Sequence, residues 1–275
     1  MNMNAQQRLQ ARKEEVQWSP KKSLGQNFLI SDHVIEKIIA AAAAMPADRL
    51  IEIGPGLGAL TDFLRLQNKN YLLIELDRDL SKYWADQGLQ VVEADALQLD
   101  WTQICPEKTL LVSNLPYQIS SSLVIELCLL DTEPQNMVLM FQKEVAQRIR
   151  AACDSDDYGV LSVIAQAFWL IDKVCEAGPR DFYPAPKVAS RVLRFQRKQD
   201  VLLQQRKAFL QFIKVAFAQR RKMFKSNIKS YLQSEPRQDL FTDWLAKNNF
   251  HDKIRAENLS VDQFIDLFVK LGLNQ

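Results

Sequence analysis

Two short runs in this sequence carry residue types that could do chemistry. The first, Ser113-Asn114-Leu115-Pro116-Tyr117, sets an amide, a proline and an aromatic ring close together. The exocyclic amine of adenine is a poor nucleophile because its lone pair is delocalised into the ring. Two acceptors aimed at its two hydrogens favour the pyramidal geometry that frees the lone pair. The Asn114 side-chain oxygen and the Pro116 backbone carbonyl are two such acceptors, and the proline ring stiffens the turn. Tyr117 adds a flat face for a base and a π-cloud able to sit near a cation. By itself, an N-x-P-Y run reads as a turn with a buried aromatic. What precedes it in the chain favours the chemical reading.

That preceding run is Leu50-Ile51-Glu52-Ile53-Gly54-Pro55-Gly56-Leu57-Gly58. A glycine-rich turn after a strand lets a ligand approach the backbone, because no Cβ intervenes. Dinucleotide enzymes space these glycines as G-x-G-x-x-G to receive a pyrophosphate. Here the spacing is G-x-G-x-G, and Ala59-Leu60 behind it offers no phosphate-binding residue. Glu75 closes the next apolar run, about twenty residues on, where a carboxylate can accept both hydroxyls of a ribose. Asp95 closes the one after. Together these residues suit an adenosine ligand without a diphosphate.

The elements that must position these residues are legible as an alternation. Apolar runs at 50–53, 71–76, 91–92, 110–112 and 137–141 have strand length, and helical patterns separate most of them. A helix is expected around Ile35, Ile38 and Ile39, capped by Ser31 or Asp32, and another over 60–66. Near-continuous apolar strands alternating with helices imply a parallel sheet covered on both faces, hence an α/β fold. In such sheets ligands bind at the carboxyl ends of the strands, where the glycine turn, Glu75, Asp95 and Asn114 all fall. After about residue 198 the pattern changes. Phe209, Phe212, Ile213, Ala216, Phe217, Phe224 and Ile228 recur at helical spacing, and no strand pattern follows. The expected division is therefore a catalytic domain over 1–199, with residues 1–20 a flexible arm, and a small all-helical domain over 200–275.

Composition narrows the field. At 275 residues, with 47% hydrophobic and 25% charged residues, the chain is an ordinary globular one. The longest apolar run, 160–171, is broken by Ser162 and Gln166 and falls short of the roughly 18 residues of a membrane span. No secretory or transit signal is read at the N-terminus, so a cytoplasmic location is expected. Four scattered cysteines and two histidines make no metal site expected. The net charge of +2 hides an asymmetry: residues 206–237 carry nine Lys/Arg against Glu235 alone, and residues 180–198 six against Asp181 alone. Basic stretches on an otherwise acidic chain suit a polyanionic partner, although solvated helix faces would also produce them. Within the first stretch, Arg221, Lys222, Lys225 and Lys229 are expected opposite the apolar stripe, with Arg220 nearer to it.

Taken jointly, the motifs resemble the ribosomal RNA adenine N6,N6-dimethyltransferase family. Those that carry the resemblance are Lys22-Ser23-Leu24-Gly25-Gln26-Asn27-Phe28-Leu29, the glycine turn, Ile74-Glu75-Leu76-Asp77, Ala94-Asp95-Ala96, Asn114-Leu115-Pro116-Tyr117 and Phe182-Tyr183-Pro184-Ala185-Pro186-Lys187-Val188-Ala189-Ser190. The resemblance runs from about residue 18 almost to the end and is closest to the bacterial small-subunit (16S) branch. The large-subunit, macrolide-resistance branch typically has Ile where Leu115 stands. Gln118, Ser122 and Ala185 depart from the usual pattern of the small-subunit branch. The resemblance implies a Rossmann-like class I methyltransferase fold with S-adenosylmethionine as cofactor. It implies 16S rRNA in the small ribosomal subunit or its precursor as partner, dimethylation of two adjacent adenines in a hairpin loop near the 3′ end, and a monomeric enzyme. It implies that Asn27, Leu29, Gly54, Gly56, Glu75, Asp95 and Asn114 hold the cofactor, with Glu75 on the ribose and Asp95 on the adenine amine. Asn114, Pro116 and Tyr117 would act on the target adenine, and Phe182 would stack on it opposite Tyr117. Arg220, Arg221, Lys222 and Lys225 would grip RNA. The different reading of Phe182, a core residue ahead of a strand at 190–195, stands beside this one. Other readings of the whole chain are a large-subunit rRNA methyltransferase, a DNA adenine methyltransferase, and a non-catalytic assembly factor that retains the fold.

Overall fold

The computed structural model describes residues 3–19, 26–105, 108–130, 134–198 and 203–274. Residues 22–25 of the N-terminal motif and the expected junction at 199–200 lie outside them. The expected flexible arm is corrected by helix α1 (Ala5–Val16). Asn4 and Gln7 cap it reciprocally: the Asn4 side chain accepts the Gln7 N–H at 2.9 Å, and the Gln7 side chain accepts the Asn4 N–H at 3.0 Å. Its first turn is pinned by Asp32, which takes the Ala5 N–H and an ion pair from Arg8 at 2.9 Å. Local capping plus a partner across the fold orders this segment; neither is visible in its polar composition.

After β1 (Phe28–Leu29) and α2 (Asp32–Ala43), the expected alternation runs through β2 (Arg49–Ile53), α3 (Thr61–Leu64), β3 (Tyr71–Glu75), α4 (Arg78–Asp86), β4 (Gln90–Glu93), α5 (Trp101–Ile104), β5 (Thr109–Asn114), α6 (Ser120–Cys128) and β6 (Asn136–Gln142). The chain continues with α7 (Lys143–Arg150), α8 (Val160–Phe168), β7 (Trp169–Ala177), β8 (Phe182–Tyr183) and β9 (Ser190–Arg197). Among the described residues, seven strands form the main sheet in the order β4-β3-β2-β5-β6-β9-β7. The strands from β4 to β6 are parallel, and β9 inserts antiparallel to β6, with Met140 opposite Val192. Strands β3, β5 and β6 are buried almost throughout, as strands covered on both faces must be. This is the Rossmann-like architecture of class I methyltransferases. The strand order reverses between β2 and β5, so the turns after these two strands open a crevice at their carboxyl ends.

The chain divides into two compact units, and Gln147–Trp169, expected with the first, belong to the second. The first comprises residues through Ala146 together with Leu170–Arg197; the second comprises Gln147–Trp169 together with the chain from Lys198 onward. The apolar run at 160–171 is split between α8 and the start of β7. In the second unit α8 packs with α9 (Arg206–Ala216) and, after α10 (Phe224–Asn227) and α11 (Glu235–Lys247), with α12 (Val261–Lys270). Arg206 lies over the Phe168 ring at 4.4 Å, and the Tyr158 hydroxyl donates to the Leu259 carbonyl at 2.9 Å. Phe209, Phe212, Phe224, Phe264 and Phe268 form this unit's aromatic core. Among the described residues, no helix is long and apolar enough to cross a membrane.

Candidate functional site

The crevice between β2 and β5 is a cavity of about 260 Å³ within the first unit. Its floor is the glycine turn. Gly54 and Gly56 have φ of +65° and +55°, which side-chain-bearing residues rarely adopt. A Cβ on Gly56 would also meet the Phe28 ring at 2.7 Å, so the turn admits only a bare backbone there. Glu75, at the end of β3, holds the turn at the cavity wall: one carboxylate oxygen accepts the Gly56 N–H at 3.1 Å, the other the Asp77 N–H at 2.8 Å. Burial pushes the Glu75 carboxyl up, while the two N–H donors oppose that shift. Asp95, beyond β4, is half-buried at the cavity wall and accepts the Leu97 N–H at 2.9 Å.

The far wall is the turn after β5. The Asn114 amide nitrogen donates to the Asn27 carbonyl at 2.9 Å. With the nitrogen so committed, the side-chain oxygen is the atom left to accept a hydrogen bond. The Pro116 carbonyl takes the Ile119 N–H at 3.2 Å and retains a second lone pair. Tyr117, partly buried, shares a hydrogen bond of 2.7 Å with Ser190 at the start of β9. The opposite rim is the N-terminal strap, Gln26 through Leu29, with Phe28–Leu29 forming β1.

Asn27, Leu29, Gly54, Gly56, Glu75, Asp95, Asn114, Pro116 and Tyr117 thus all line one cavity. Phe182 does not. It pairs with Leu29 in the small antiparallel ladder of β1 and β8, is 3% exposed, and belongs to the core with Leu29, Val34 and Val192. Successive strand residues face opposite ways, so Tyr183 is the ring turned outward, 44% exposed and with Lys13 over it at 4.7 Å. In this structure the Phe182 ring thus packs in the core, as its alternative reading expects, and does not line the cavity.

Some lining residues escaped the sequence reading. Leu76 is half exposed at the cavity and offers an apolar surface to a base. Glu52 is buried beneath the turn, accepting hydroxyls from Thr61 at 2.9 Å and from Tyr71, and burial pushes it up to about 7. Its place two residues before Gly54 was the available signal. Asp77, buried, caps α4 and accepts from Trp18 and Gln26, which ties the N-terminal strap to the β3 turn.

Among the described residues, the lining contains three carboxyl groups (Glu52, Glu75 and Asp95) and neither Lys nor Arg. Among these residues a phosphate would find no counter-charge, whereas a cationic ligand would find acidic groups, Asp95 foremost. Among the described residues there is no cluster of His, Cys, Asp or Glu that could hold a metal ion. A positively charged nucleoside, held at the carboxyl ends of the strands where the strand order reverses, is what class I S-adenosylmethionine-dependent methyltransferases bind, and the fold puts the chain in that class. Comparison with known proteins narrows it: residues 18–271 match the family described as Ribosomal RNA adenine dimethylase. A protein of Bdellovibrio bacteriovorus named Ribosomal RNA small subunit methyltransferase A is 53% identical over 98% of both chains. A protein of the same name from Syntrophotalea carbinolica is 43% identical over 76% of this chain and 81% of its own. Among solved structures, a dimethyladenosine transferase from Plasmodium falciparum superposes with a TM-score of 0.72 at 26% identity, over 89% of this chain and 98% of its own. The 23S rRNA methyltransferase ErmE, at 23% identity and a TM-score of 0.68 over 90% of this chain and 100% of its own, shares the fold. The chain belongs to the ribosomal RNA adenine dimethylase family, and it is an enzyme that uses S-adenosylmethionine to methylate adenine in ribosomal RNA.

The site yields a binding prediction. Glu75→Ala removes the carboxylate that faces the cavity and also releases the Gly56 and Asp77 N–H groups. Cofactor affinity is expected to fall by about 1.5–3 kcal/mol, the scale of hydrogen bonds to a charged group. Calorimetric titration of the folded variant checks this, and unchanged affinity removes Glu75 from the site.

Proposed function

We propose that the enzyme dimethylates two adjacent adenines in a hairpin loop near the 3′ end of 16S rRNA, in the small ribosomal subunit or its precursor, acting as a cytoplasmic monomer. The observation that carries the small-subunit target is the near-full-length likeness to small-subunit methyltransferases. Leu115, where the large-subunit branch typically has Ile, agrees with it.

Bound S-adenosylmethionine supplies an electrophilic methyl group on a sulfonium. Glu75, Asp95 and the bare backbone of Gly54 and Gly56 hold and orient it, and the carboxylates lining the cavity match its positive charge. Asn114 and Pro116 accept the two N6 hydrogens of an adenine turned out of its stack, which draws the lone pair out of conjugation. The cofactor, when bound, would supply the methyl group to N6; the N6 proton would become acidic only after attack and pass to water, so the residues of the site need provide no dedicated base. Tyr117, its hydroxyl fixed by Ser190, presents a ring face for the base. For the second methylation, a single N–H remains to be shared between Asn114 and Pro116.

RNA grip is assigned to the second unit. The basic run expected on a helix lies mainly in the turn between α9 and α10, where Arg221 and Lys222 are exposed, while Lys225 is exposed on α10. Arg220 is engaged within the unit: it donates to the Asp156 carbonyl at 2.9 Å and pairs with Glu257 at 3.1 Å. We therefore assign phosphate contact to Arg221, Lys222 and Lys225 and a tethering role to Arg220. Replacing those three with Ala is expected to leave cofactor affinity unchanged. RNA affinity should fall, and the slope of log K against log salt should shrink by about 0.7–0.9 per lost phosphate contact. An unchanged affinity and slope would make the turn a solvated surface. The target itself is tested by primer extension on small subunits from cells lacking this protein. Two adjacent stops should be absent there and return on adding the enzyme; full stops without it would overturn the assignment.

A further inference from the structure

The family match begins at residue 18, yet the helix ahead of it is wired into the cofactor floor. Arg12, on α1, reaches the back of the glycine turn. One guanidinium nitrogen donates to the Leu57 carbonyl at 2.6 Å, and both nitrogens engage the Asp62 carboxylate at 2.9–3.2 Å. The guanidinium also lies 4.9 Å from the Trp84 ring centre. Trp84 in turn donates to the Gly56 carbonyl at 2.9 Å. The neighbouring carbonyls of Gly56 and Leu57 are thus both held from behind, while Glu75 holds the Gly56 N–H. Gly58, at φ +80°, is the point of closest approach: a Cβ there would lie 2.3 Å from the Arg12 guanidinium and 2.6 Å from Trp84.

Three left-handed glycines in five residues make a turn with many accessible shapes when unconstrained. A fork that is planar, charged and largely buried is the side chain suited to hold one of those shapes. We propose that Arg12 is a positioning residue for the cofactor site, and that α1 acts through it to hold the glycine turn in the shape that receives S-adenosylmethionine. The hydrogen-bond, ion-pair and ring partners of Arg12 lie in the turn, α3 and α4. Its loss therefore acts on cofactor binding and leaves the methyl-transfer step intact.

The proposal rests on the cavity being the cofactor site, which binding of S-adenosylmethionine to the wild-type chain tests separately. In calorimetry on the full chain, Arg12→Ala is expected to weaken S-adenosylmethionine binding about tenfold or more, as loss of a charge-assisted hydrogen bond does. Its kcat at saturating cofactor should stay within about twofold of wild type, so that the loss appears in KM alone. Arg12→Lys, which keeps the charge without the fork, should fall between the two, and it carries the test if Arg12→Ala does not fold. Arg8→Ala separates turn positioning from helix docking. Arg8 anchors the same helix to Asp32 but does not touch the turn, so this variant should lose stability and keep wild-type affinity. Wild-type affinity in folded Arg12→Ala or Arg12→Lys overturns the proposal, and so does an equal loss of affinity in Arg8→Ala. If the wild-type chain binds no S-adenosylmethionine, the underlying site reading fails as well.

Discussion

Asn114→Ala is expected to lower turnover by about a hundredfold or more, the scale on which removal of one preorganised group acts. The structure says why the effect should fall on the chemical step. The Asn114 amide nitrogen is committed to the Asn27 carbonyl, so its oxygen has a single orientation before any substrate arrives. Alanine removes that acceptor and leaves the Pro116 carbonyl as the remaining partner for N6. Some cofactor affinity should also be lost, since the Asn27 carbonyl belongs to the strap that lines the same cavity. The measurement is single-turnover methylation of RNA at saturating S-adenosylmethionine, which removes the binding contribution. Asn114→Asp tests the same point from the other side. It restores an acceptor but loses the N–H that orients it, and should recover only part of the rate. Near wild-type turnover in Asn114→Ala would show that N6 does not depend on this oxygen.

Phe182→Ala is expected to destabilise the first unit by about 3–5 kcal/mol, the cost of emptying a core aromatic site. Phe182 sits in the core beside Leu29 and Val192, and its backbone pairs with the strap that forms one rim of the cavity. The shift should appear in the denaturant midpoint. Phe182→Leu, which fills most of the volume, should be much milder. Cofactor affinity is expected to fall in parallel with stability, because loosening β8 loosens β1. A Phe182→Ala chain of wild-type stability with slow turnover would return the ring to the substrate side.

These two residues also mark how far the sequence could be read. Asn114 was recognisable because its chemistry is local. Strand-length apolar runs, a glycine turn whose spacing refuses a diphosphate, and a polar residue closing each run are properties of neighbouring positions. Parallel strands then place all the closing residues at one edge. That reasoning located Gly54, Glu75, Asp95 and Asn114 with no knowledge of any contact, and the charge asymmetry located the basic turn in the same way. Phe182 was not decidable, since in a strand one residue faces the core and the next faces out, and the assignment turns on the pairing of β8 with β1. That pairing joins positions more than 150 residues apart. The same holds for Arg12, whose polar helix reads as an arm until Asp32, Asp62 and the Leu57 carbonyl are brought beside it. It holds too for Arg220, tied to Asp156 and Glu257, and for α8, which leaves the strand-bearing unit to pack with the aromatic helices. The sequence by itself determined the fold class and the groups that line the cavity, because these follow from local periodicity and turn chemistry. Which aromatic ring is buried, which arginine positions and which stays exposed was decided by the tertiary structure, because each depends on a partner distant in the chain.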